Sequence, residues 1–103
     1  MIHVIATIEL NAGTRESFLG EFRKIVPLVR AEAGCIEYGA AVDLPVELPV
    51  PVPLRENVVT VVEKWESFDA LRAHLGASHM MEYRTKVKDF VQRVQLQVLQ
   101  PVD

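Results

Sequence analysis

Cysteine is almost absent from this chain: one residue of 103, Cys35, carries a thiol, so no intrachain disulfide can form. A lone thiol with no thiolate partner fits a reducing compartment, and a cytoplasmic location follows as the expectation. Between Gly34 and Ile36, Cys35 is expected to pack as a small hydrophobe rather than act as a nucleophile. Nor is there an excess of positive charge. The net charge is −3, and the scattered lysines and arginines form no basic face with interleaved aromatics, which argues against a nucleic-acid partner. No apolar run approaches the roughly 20 residues of a membrane span. The opening "MIHVIATIEL" has no cationic leader and is interrupted by Glu9, so neither a signal peptide nor a membrane partner is expected. Four prolines crowd residues 45 to 53 without the three-residue spacing of a PxxP ligand. There is no internal repeat. What remains is a chain that is half apolar, long enough for one domain (residues 1–103) with its own core and too short for two.

Residues 2 to 9 alternate, with Ile2, Val4, Ala6 and Ile8 on one face, as a strand does. "NAGT" breaks the pattern and offers Thr14 as an N-cap. Phe18, Phe22, Ile25, Val26 and Val29 then recur at helical spacing, with Pro27 expected to kink the helix and Gly34 to serve as its C′ residue. "CIEYGAAV" reads as a second strand. The segment 43–57 cannot continue it, because Pro45, Pro49, Pro51 and Pro53 remove backbone donors. Val50, Val52 and Leu54 alternate with those prolines, so the segment is expected to be an arm laid on apolar surface rather than a free linker. "NVVTVVEKW" is the densest β-branched run and a third strand. Ser67 caps the next helix, with Phe68, Leu71 and Leu75 on its inner face until Gly76 breaks it. Ser78 offers a cap for a second helical segment carrying Met81, Tyr83, Val87, Phe90 and Val91, and "VQLQVL" closes as a fourth strand.

This order predicts an α+β domain, a ferredoxin-like β-α-β-β-α-β unit in which two helices cover one face of a four-stranded antiparallel sheet. Val58, Val59, Val61 and Val62 make the third strand apolar on both faces, and helices can cover only one. The second face predicts a sheet from a second copy against it, and so a two-fold homodimer.

Three short stretches carry a resemblance across nearly the whole chain: "EAGCIEY" at 32–38, "EKWES" at 63–67 and "LRAHLGASHM" at 71–80. With them in this order on this frame, the chain resembles the antibiotic biosynthesis monooxygenase family, small dimeric α/β barrel proteins that include quinol monooxygenases. Ala33 stands where that family usually has proline, and the 43–57 loop is longer than is typical. The resemblance implies oxygenation of an electron-rich phenol or quinol by O2 without flavin, haem or metal, in a pocket between sheet and helices of each protomer.

The densest chemistry lies in residues 63 to 83. His74 and His79 are five apart, about 140° around one continuous helix, so they cannot converge on a metal unless the helix breaks between them. Gly76 supplies such a break. Glu63 and Trp65 share a strand face. If that face is the inner one, burial would raise the Glu63 pKa and suit it to proton exchange; the alternative is a buried Glu paired with Arg30 or Arg72. His74 borders the inner stripe of its helix and is expected to reach Glu63, which would fix its tautomer as a base; a half-buried structural histidine is the alternative. His79 sits in a first helical turn, suited to an anionic ligand or to solvent. Trp65, Tyr38, Phe22 and Tyr83 are candidates to wall a flat aromatic substrate, or are plain core. No metal or cofactor site is expected. The rival readings are a non-catalytic aromatic-ligand-binding or stress-response dimer, and a haem-binding or haem-degrading relative.

Overall fold

The computed structural model describes residues 1–50 and 52–103; the expectation for Pro51 lies outside them. Strand β1 (Ile2–Leu10) leads through helix α1 (Arg15–Arg30) to β2 (Cys35–Ala41) and, after the proline-rich loop, β3 (Val58–Trp65). Two short helices, α2 (Phe68–Leu75) and α3 (Ser78–Val87), precede β4 (Val91–Leu99). All neighbouring strands run antiparallel in the order β2-β3-β1-β4. This is the expected ferredoxin-like arrangement, with the second helix divided in two at Gly76. No helix among the described residues is long and apolar enough to cross a membrane.

Register places whole rows of side chains on the helix-covered face. Tyr38, Glu63, Val4 and Val98 stand in one cross-strand row, and Ala40, Val61, Ala6 and Leu96 in the next. Phe18, Phe22, Ile25 and Val29, one stripe of α1, close over these rows as the core. The cover is uneven. Val4, Ala6 and Ile8 of β1 are buried, whereas their partners Val98, Leu96 and Val94 on β4 are 44 %, 43 % and 55 % exposed on the same face.

Several local expectations are corrected. Helix α1 continues through Pro27, as expected, and ends three residues later, while other local outcomes differ. Thr14 makes no side-chain cap; its hydroxyl instead donates to the Asn11 carbonyl at 2.7 Å. Ser67 does cap α2, accepting from the Ala70 amide, but Ala77 rather than Ser78 is the N-cap of α3. Phe68 is not an inner residue of α2, whose buried face is centred between Leu71 and His74, about 90° away; Leu75, about 70° from that centre, is partly exposed but still borders the space between sheet and helices. Phe90 lies in a turn and Val91 opens β4, since α3 ends at Val87. Of the four β3 valines, Val59 and Val61 lie under the helices; on the other face Val58 is already buried and Val62 is half-buried. The larger uncovered apolar surface is on β4 and on the loop.

That loop is closed at its base by Asp43 and Arg55, whose guanidinium donates to both carboxylate oxygens at 2.8 and 2.9 Å and holds the Asp43 carboxyl down to about 2. Contrary to expectation, its apolar side chains do not lie on the domain. Leu44, Val46, Leu48, Val50, Val52 and Leu54 are each at least 50 % exposed.

Gly34 is not the C′ residue of α1, which caps at Ala31. It sits in the turn into β2 with φ +83°, where its carbonyl accepts from the Glu66 amide at 2.8 Å, and a Cβ there would stand 2.6 Å from the Ala70 Cβ. Gly34→Ala therefore combines left-handed backbone strain with a collision against α2, and is expected to cost about 2–4 kcal/mol of unfolding free energy in a urea titration. Adding Ala70→Gly removes the collision but not the strain, and should recover only part of the loss.

Candidate functional site

The break at Gly76 brings the two histidines together. Helix α2 ends at Leu75, Ala77 starts α3 in an extended conformation, and the chain changes direction between them. As a result His74 Nδ1 and His79 Nε2 both meet one oxygen of Glu32, Oε2, at 2.9 and 2.8 Å. Glu32 lies in the turn between α1 and β2. A carboxylate oxygen can only accept, so both facing ring nitrogens carry hydrogens. For a neutral His74 this leaves the Nε2 lone pair free, with no hydrogen-bond partner among the described residues.

His74 is 2 % exposed and is clamped by aromatic rings. Trp65 lies tilted against it at 4.7 Å between centroids, and Tyr38 meets it edge-on at 5.5 Å. Burial lowers its pKa below the ordinary histidine value, opposed only in part by the hydrogen bond and charge of Glu32. His74 is therefore a neutral imidazole at pH 7. Glu63, 4 % exposed, shows the converse effect. Burial raises its carboxyl to about 7; the hydrogen bond from Trp65 Nε1 to Oε1, 2.9 Å, works against the rise, and the charge of Glu32 adds to it. Both Tyr38 and Tyr83 are pushed well above the usual phenol range by burial and stay protonated. The Cys35 thiol is also pushed up, first by burial and then by the charges of Glu32 and Glu63, which fits its expected inert role.

Between the sheet and the helices lies a cavity of about 310 Å³, in the range of a single-ring or two-ring ligand. Glu63, His74, Tyr38, Phe22 and Tyr83 all line it. Phe22 stacks on Tyr38 at 5.5 Å and meets Tyr83 edge-on at 6.2 Å, which makes a continuous aromatic wall. Trp65 does not reach the cavity. It stands fully buried behind Glu63 and His74 and touches both. His79 also stays outside, on the far side of Glu32, with its side chain 23 % exposed.

The expected Glu63–His74 pair is not made: each is held by another partner, His74 by Glu32 and Glu63 by Trp65. The arginine alternatives for Glu63 fail as well, because Arg30 donates to the Tyr38 carbonyl and Arg72 pairs with Asp69. Sequence reasoning missed Glu32, Phe18 and Arg84. Phe18 and Arg84 line the cavity, and the Arg84 guanidinium donates to the Leu75 carbonyl at 2.7 Å. The only sign of Glu32 was its place in the "EAGCIEY" stretch; no spacing rule ties residue 32 to 74 and 79.

The raised Glu63 pKa has a consequence for stability. Below about pH 4.5 the carboxyl is protonated in both folded and unfolded chains; above that, folding must hold a proton that the unfolded chain releases. Stability should therefore fall as pH rises through 7, by an amount on the order of 3 kcal/mol at pH 8. Glu63→Gln keeps the acceptor for Trp65 and removes the titration. Chemical denaturation at pH 5 and pH 8 should show the variant losing much less stability across this window than wild type.

The comparisons with known proteins agree with this architecture. The family model for antibiotic biosynthesis monooxygenase matches residues 1–86. The chain is 37 % identical over 103 residues to the "Probable quinol monooxygenase YgiN" of Escherichia coli K12, covering 98 % of each chain. Among solved structures it resembles a protein of Pseudomonas aeruginosa, with TM-score 0.82 and 25 % identity over 99 % of this chain and 94 % of that one. It also resembles a protein of Mycobacterium tuberculosis, with TM-score 0.81 and 25 % identity over 99 % and 95 %. The family match and the full-length relative establish that the chain belongs to the antibiotic biosynthesis monooxygenase family.

Proposed function

We propose that the protein is a monooxygenase that oxidises a phenolic or quinol-type aromatic compound with O2, with no flavin, haem or metal, and works as a two-fold homodimer. The observation that carries this reading is His74. Its Nδ1 is pinned by Glu32 while Nε2 is left free on an aromatic-walled cavity that also holds Glu63. The quinol monooxygenase name of the E. coli relative supports the substrate class.

In this mechanism the ring lies against Phe22, Tyr38 and Tyr83, and His74 Nε2 takes a hydroxyl proton. Loss of that proton raises the ring's electron density until it can pass an electron to O2 directly. The substrate itself is the reductant. For a simple hydroquinone, one oxygen atom enters the ring, the other leaves as water, and the product is a hydroxyquinone, so atoms and electrons balance with no further co-reactant. Glu63, close to half-protonated near pH 7, exchanges the second proton. Glu32 acts through His74 and is a positioning residue. Trp65 buttresses the pair from behind.

Oxygen uptake by metal-stripped protein with a panel of hydroquinones and polyphenols tests this. Wild type should exceed the autoxidation rate, and His74→Ala should lower kcat by about 10²-fold or more. Uptake at the buffer rate across the panel would favour the ligand-binding reading instead.

The pH profile separates the role of Glu32 from simple structural support. His74 must be deprotonated to act as a base, so the acid limb of the wild-type rate should lie below pH 6.5. Glu32 raises the His74 pKa, so Glu32→Ala should move this acid limb to still lower pH while reducing the plateau. An unmoved limb would remove Glu32 from the mechanism.

A further inference from the structure

The two histidines on Glu32 face different spaces. His74 lines the cavity between sheet and helices and is sealed at 2 % exposure. His79 lines an outer cleft with Glu21 and Lys24 of α1 and Glu82, Tyr83 and Lys86 of α3, and its side chain is 23 % exposed. The mechanism above gives His79 no part, yet it donates to the same oxygen that fixes the base.

Sharing one oxygen has an electrostatic consequence. His74 Nδ1 and His79 Nε2 each lie within about 3 Å of Glu32 Oε2, so they are no more than about 6 Å apart, a separation at which like charges repel. Glu32 carries one negative charge and balances one imidazolium, not two. No other carboxylate is paired with either ring among the described residues. On the cavity side, Tyr38 of β2 and Trp65 of β3 pack on His74, Glu63 of β3 shares its cavity, and Arg84 of α3 adds a second positive charge near the ring. On the outer side, Lys24 is paired with Glu21 at 3.1 Å.

Hydrogen positions decide what His79 can do. Both nitrogens that face Glu32 carry hydrogens, so a proton on His74 cannot pass through the carboxylate to His79, whose facing atom is already a donor. Charge coupling remains. Nδ1 of His79 has no hydrogen-bond partner among the described residues and is the atom that can take a proton from solvent. We propose that His79 is a positioning residue that governs the base through Glu32: protonated at Nδ1, it claims the charge of the carboxylate and holds His74 in its neutral, proton-accepting form as the medium turns acid. This rests on His74 as the base of the proposed function and deepens it. Its sign is opposite to that of Glu32, since the carboxylate raises the His74 pKa and the charge of His79 lowers it.

The test is an NMR titration of the histidine rings in the unliganded full chain, a readout that needs no turnover. With three histidines in the sequence, His3, His74 and His79, the ring signals can be assigned by single substitutions. His79→Gln keeps an N–H for Glu32 and cannot be charged, so the His74 midpoint should rise by about half a pH unit or more. His79→Lys carries its charge throughout this range, so the midpoint should stay at or below that of wild type. An unmoved midpoint in His79→Gln overturns the proposal, and so does a rise in both variants, which would mark a purely structural contact. Should a variant not fold, the native chain decides: coupling makes the His74 curve depart from single-site form where His79 titrates, and two independent single-site curves would reject it. The acid limb of oxygen uptake should follow the His74 midpoint in each variant. Uptake at the buffer rate, with the midpoints moved as expected, would remove the oxygenase reading and leave the control of His74 by His79 standing.

Discussion

One oxygen of Glu32 holds the site together. By accepting from His74 on α2 and His79 on α3, it ties the turn after α1 to both short helices, which are also joined to each other by the Arg84 guanidinium on the Leu75 carbonyl. The His74 ring is thereby fixed in one tautomer, and its free nitrogen is left for the cavity. Charge-assisted hydrogen bonds of this length are stronger than neutral ones, and two on a single atom leave little freedom in the placement of either ring.

Burial then sets the protonation states. In the same low-dielectric space it lowers the His74 pKa and raises that of Glu63, so that near neutral pH a neutral base and a carboxyl near its midpoint line one cavity. For His74 burial outweighs the hydrogen bond to Glu32; for Glu63 it outweighs the hydrogen bond from Trp65. Trp65 links the two by donating to one and packing on the other. Its contribution is to hold both groups in place, which explains why an aromatic residue so close to the chemistry does not touch the space where a ligand would lie.

The cost of such a site in a 103-residue chain is incomplete cover. The short, broken helical layer that lets two histidines converge shields β1 and β3 but leaves the β4 stripe open. An unbroken helix would hold the histidines apart on its surface.

Much of the fold is legible in the sequence, because strand and helix are local periodicities. Val4, Ala6 and Ile8 at every second position, and Phe18, Phe22, Ile25 and Val29 at helical spacing, mark their elements without reference to distant residues. The shared strand face of Glu63 and Trp65, and the place of His74 beside the inner stripe of its helix, followed from the same patterns; that this strand face is the buried one did not. Which buried groups bond to one another did not, because a hydrogen bond depends on a few tenths of an ångström set by distant packing. Residues 32, 74 and 79 meet only after α1, β3 and the α2–α3 break have been assembled. By itself the sequence determined the order of elements, the buried stripes of β1 and α1, and the family. Only the tertiary structure decided that Glu32 orients His74, that Trp65 stands behind the site rather than in it, and that β4 and the proline arm are left uncovered.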